Sequence, residues 1–142
     1  MESLYIGKMS MVQKKIHIDI EGKRWNIEVF LPITKCDVAK IMQALIRIGI
    51  DKKNLSTAYD NLSSGRVNNG ITFTNPYLRE AVVVVAMSMN KQEYFSLIVH
   101  ELHHLSGHIA SACGYDLECE EVCYINGDIA GMLYPTINHL IS

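Results

Sequence analysis

The chain has 142 residues, a net charge of -2 and lysines scattered rather than clustered, which excludes the basic footprint that nucleic-acid backbones select. Its longest unbroken apolar run, Ala81 to Met87, falls far short of the roughly 20 residues of a membrane span, and the first residues lack an apolar core of signal-peptide length. A single cytoplasmic domain over residues 1–142, with no nucleic-acid and no membrane partner, is therefore expected.

Cys36, Cys113, Cys119 and Cys123 are expected as reduced thiols in that compartment. The last three lie near one another with His108 upstream, but their spacing matches none of the paired Cys-x-x-Cys patterns of thiolate zinc sites.

In chain order, residues 1–14 show no period and no structure is predicted for them. From Lys15, Ile16, Ile18 and Ile20 alternate with His17, Asp19 and Glu21, the pattern of a half-buried strand with His17 on its exposed side. Glu21 to Arg24 supplies a turn, and Trp25, Ile27, Val29 and Leu31 resume the two-residue period, predicting a β-hairpin. Val38, Ile41, Met42, Leu45 and Ile48 recur at helical spacing before Gly49. A second, shorter helix is predicted over 53–63, burying Leu55, Ala58, Tyr59 and Leu62 and ending before Gly65. No phosphate-cradling glycine pattern occurs here.

Asn68, Asn69 and Gly70 signal a turn, Ile71 to Thr74 a short strand broken at Asn75 and Pro76, and Arg79 to Met87 a strand apolar on both faces, hence covered on both. Asn90, with Glu93 three residues on, predicts the start of a helix over 91–112 that Gly114 ends. A last helix is predicted from after Asp116 to about Leu133, stopped or kinked by Pro135, with Val122, Ile125, Ile129 and Met132 as its apolar stripe. Gly127 and Gly131, on another line with Glu120 and Tyr124, would let a second helix approach closely. Together these elements predict an α+β fold, a small antiparallel or mixed sheet with packed helices.

The helix over 91–112 carries His100, Glu101 and His104 as His-Glu-x-x-His. At about 3.6 residues per turn the two histidines stand one above the other, so two imidazole nitrogens can take one zinc ion, with Glu101 beside them as a base for water. Leu97, Ile98, Leu102 and Leu105 give the helix an apolar stripe around that trio.

A catalytic zinc ion takes three protein ligands. His108 lies eight residues, or about 12 Å of helix, from His100, too far to share an ion with it, and His103 points about a quarter turn away. Gly107 fits the longer metzincin pattern, but Ala110 stands where its third histidine belongs, so that pattern fails unless the helix breaks at Gly107. The remaining candidates are Glu118, Glu120, Glu121 and Asp128.

The stretch Leu97 to Leu105, followed by Glu120 to Ile129, resembles the small zincin-like metallopeptidases of phages and mobile elements. In those proteins His-Glu-x-x-His is followed, after a short linker, by a helix of the form Glu-x-x-Ala-Tyr-x-x-Gly. The chain matches at Glu120, Tyr124 and Gly127, with Cys123 in place of alanine, over about its last third. The resemblance implies a gluzincin-type site, with zinc held by His100, His104 and Glu120, on a zincin-like active-site helix followed by a C-terminal ligand-bearing helix. Two tightly joined antiparallel helices would instead bring residues near 124 to 128 level with the histidines, so Asp128 and Glu121 stay open as alternatives.

The activity expected is hydrolysis of a peptide or protein substrate by a zinc-activated water, with Glu101 as general base and Tyr124 donating a hydrogen bond to the oxyanion. A neighbouring strand edge could bind the substrate in extended form. The alternative is a non-catalytic zinc-binding structural or partner-binding protein, in which the site pins the last two helices together. Oligomeric state is not set by the sequence.

Overall fold

Alternation of apolar and polar residues drives the first two strands together. β1 (Val12–Ile20) and β2 (Lys23–Ile33) pair antiparallel from Val12↔Leu31 to Ile20↔Lys23. Their two-residue turn has Glu21 and Gly22 at φ of 53° and 78°, the geometry that matches strand twist. The computed structural model describes residues 11–33, 37–64, 70–86, 88 and 90–142. Cys36, the Gly65 stop and the turn residues Asn68 and Asn69 lie outside them. β1 starts three residues before the sequence period does, because Val12 to Lys14 have partners on β2 even though their own pattern does not alternate.

Helices α1 (Val38–Arg47) and α2 (Lys52–Ser64) follow, then β3 (Gly70–Asn75) and β4 (Glu80–Ala86), α3 (Lys91–Ala112) and α4 (Glu120–Ile141). The sheet runs β1-β2-β4-β3 and is mixed: β2 and β4 are parallel, the other two pairs antiparallel. The chain is an α+β fold with helices on both faces of this small sheet.

Two cores result. On one face Trp25, Ile27, Val29 and Leu31 of β2 and Ala81, Val83 and Val85 of β4 pack with α3 and α4. On the other Phe30, Val82 and Val84 pack with Ile41, Leu45, Ala58 and Leu62 of α1 and α2. β4 is thus covered on both sides, as its valine run requires. Tyr59 is exposed rather than buried, since Leu55, Ala58 and Leu62 define the inward stripe of α2 and Tyr59 stands on its flank.

α3 begins where expected, with Asn90 Oδ1 accepting from Glu93 N at 2.8 Å. It ends in a left-handed Gly114, φ 81°, with Tyr115 N bonded back to Ala110 O. α4 does not stop at Leu133. It continues through Pro135 to Ile141, its inward stripe Val122, Ile125, Ile129, Leu133, Ile137 and Leu140, while Met132 is exposed. Gly127 and Gly131 face open space, and no second helix among the described residues packs against them. Among the described residues no helix is long and apolar enough to cross a membrane.

Candidate metal centre

The inward stripe of α3, Ile98, Leu102, Leu105 and Ile109, decides what its other side carries. His100, His104 and His108 are left on an exposed line beside β3. The His100 and His104 rings are 4.8 Å apart between centroids, edge to face, and those of His104 and His108 are 6.3 Å apart. Nitrogen and carboxylate atoms of His100, Glu101 and His104 gather within 4.8 Å of one another.

Glu101 differs from its neighbours in being only 3% exposed. Two residues of β3 account for that. Thr72 Oγ1 donates to Glu101 Oε1 at 2.7 Å, and Gly70 leaves the space in which the side chain lies. A Cβ on Gly70 would stand 2.8 Å from Glu101 Cγ and 2.3 Å from the Val84 carbonyl oxygen. Glu101 Oε2 is left on the histidine side, 3.9 Å from His100 Nε2.

Further along, Thr74 Oγ1 and His108 Nδ1 are 3.1 Å apart, and burial together with the nearby His104 holds the His108 imidazole below its usual pKa. A cleft of about 340 Å³ is lined by Gly70, Thr72, His100, Glu101, His104 and His108. A second cleft shares Thr72 and His108 with it and continues to Pro76 and Ala112, so one groove follows β3 along α3.

These donors could hold a metal ion: two imidazoles one helical turn apart supply two of the three protein ligands that a catalytic zinc ion takes, beside a carboxylate seated in a cradle that any Cβ at position 70 would fill. The carboxylates of α4 take no part in this group. Ser106 Oγ donates to Asn126 Oδ1 at 2.9 Å, which fixes how α3 and α4 run past each other. Counted from that pair, Glu120 lies six residues one way and His104 two the other, about 12 Å apart along the helices. Asp128 is level with His104 but on the wrong side: with Glu121 and the 64% exposed Tyr124 it lines a separate cleft shared with Asp19, Glu21 and Tyr115 of the β1 side. α3 runs on unbroken through Gly107, so His108 is not brought round to the histidine pair, and His103 is exposed outside the group.

The histidine pair and Glu101 are thus together, while Glu120 and Tyr124, read from the sequence as ligand and oxyanion donor, stand apart from them. Gly70, Thr72 and Thr74, which the sequence marks only as turn and strand residues, join the site. Their signal was the alternation in β3, whose apolar Ile71 and Phe73 pack on the opposite core and leave Gly70, Thr72 and Thr74 to one side. Compared with known protein families, curated proteins and solved structures, the chain matches none.

Proposed function

We propose that the chain is a zinc-dependent peptide hydrolase, of the kind its His-Glu-x-x-His helix resembles, with His100 and His104 holding the ion and Glu101 as general base. The observation that carries this reading is the buried carboxylate of Glu101, with one oxygen tied to β3 and the other turned to the imidazoles. A zinc ion, when bound, supplies Lewis acidity that lowers the pKa of a coordinated water from about 15.7 toward 7. Glu101 takes the proton at Oε2, because Oε1 already accepts from Thr72, and returns it to the leaving amine. β3 is one of the two edge strands of the sheet among the described residues and the one that borders the same groove, so an extended peptide can add to its outer edge through backbone hydrogen bonds.

The test combines elemental analysis of purified protein with cleavage of an unfolded protein such as casein. Glu101→Gln is expected to keep zinc and lose cleavage by about 100-fold or more; His100→Ala is expected to lose both. Protein free of zinc, or a Glu101→Gln variant that cleaves normally, removes the reading.

One observation favours a second reading, a metal-binding protein without hydrolase activity: both histidines are exposed, and no third ligand joins them from another element among the described residues. Zinc binding with no cleavage by wild type selects it. An ion here would not pin the last two helices together, because all three residues of the group come from α3.

A further inference from the structure

We propose that Thr72 is a positioning residue that holds Glu101 in place as a base and keeps it from becoming a metal ligand, with Gly70 supplying the room. The inference rests on the hydrolase reading of the same site. A glutamate beside two ion-holding imidazoles has a competing option, since its carboxylate can swing onto the ion and occupy a position that water needs. Three rotatable bonds make that swing easy for an untethered side chain.

Here the swing is opposed twice. The Thr72 hydroxyl donates to Oε1 at 2.7 Å, and it is the one hydrogen-bond donor to that carboxylate among the described residues. With Glu101 buried, water cannot easily replace it. The second restraint is shape: Glu101 Cγ and Cδ lie 2.8 and 3.0 Å from where a Cβ of residue 70 would be, so the side chain is seated against bare backbone. The tether therefore assigns different work to the two carboxylate oxygens, Oε1 for anchoring and Oε2 for the proton. It also links the base to β3, the strand whose edge borders the groove.

Thr72→Val removes the hydroxyl at nearly constant volume, and Thr72→Ser restores it. Cleavage by Thr72→Val is expected to fall about 10- to 100-fold in kcat with KM little changed, and Thr72→Ser to recover most of it. With cobalt in place of zinc, Thr72→Val is expected to change the visible absorption bands as Glu101 enters the coordination sphere, a change that a merely structural threonine would not cause. In metal-free protein, the melting-temperature losses of Thr72→Val and Glu101→Met are expected to be non-additive, because each removes the same hydrogen bond. Additive losses, an unchanged cobalt spectrum, or full activity of Thr72→Val overturns the assignment. A wild type that binds zinc and cleaves nothing overturns the hydrolase reading instead, and the metal-free cycle still judges the Thr72–Glu101 tether.

Discussion

Glu28 and Tyr94 are both buried polar side chains, and their opposite hydrogen-bonding states lead to opposite expectations. Glu28 accepts from Arg47 Nη2 at 2.5 Å and from Gln13 Nε2. Burial works to raise its pKa, but the bonds to Arg47 and Gln13 outweigh it, and the carboxyl ends below its ordinary value of 4.5. A depressed folded-state pKa means stability that is fully present above the unfolded value and is lost as pH falls through the folded one. Arg47→Met is expected to cost about 1–3 kcal/mol at pH 7, with the deficit shrinking below about pH 4, in urea titrations at the two pH values. The Tyr94 hydroxyl has no hydrogen-bond partner among the described residues, and burial alone pushes its pKa up. Tyr94→Phe is therefore expected to raise stability, by about 1 kcal/mol in the same titration. Neither environment was legible in the sequence. Alternation assigned Glu28 to the outward side of β2, and only Phe30, two residues on, hinted that α1 and α2 would cover that side as well.

At the scale of elements, local chemistry made some boundaries legible and not others. The limits of α3 follow from a capping asparagine and a terminal glycine, both of which act within one turn of themselves. The end of α4 does not, because Pro135 argues locally for a stop while the core argues for continuation. Leu133, Ile137 and Leu140 are buried, and the proline sits on the exposed side, where the carbonyl it leaves without a donor can bond to water. Burial of three aliphatic side chains at roughly 1.5–3 kcal/mol each outweighs a helical proline at about 3 kcal/mol. Pro135→Ala is accordingly expected to stabilise the protein by about 1–3 kcal/mol, read as a higher urea midpoint with an unchanged slope. A neutral or destabilising result would overturn that balance.

Across the whole molecule, the candidate site depends on which side of α3 faces which edge of the sheet. α3 packs over β3 and β4 and opens its histidines toward the β3 edge, whereas α4 lies on the β1 side and turns Glu121, Tyr124 and Asp128 toward Asp19 and Glu21. Spacing along the chain predicted which residues of the last helix would be level with the histidines, but level is a one-dimensional property. The side is fixed by strand order, and the order β1-β2-β4-β3 arises from a parallel pairing of β2 with β4 that no local pattern announces. A calorimetric zinc titration separates the arrangements. Glu120→Gln, Tyr124→Phe and Asp128→Asn are expected to bind zinc within about twofold of wild type, as residues remote from the group should. His104→Ala is expected to weaken binding by at least about tenfold. Loss of zinc from Glu120→Gln would require α4 to cross α3 and reach the β3 side, which the Ser106–Asn126 hydrogen bond and the burial of Ile125, Ile129 and Leu133 against the sheet both oppose.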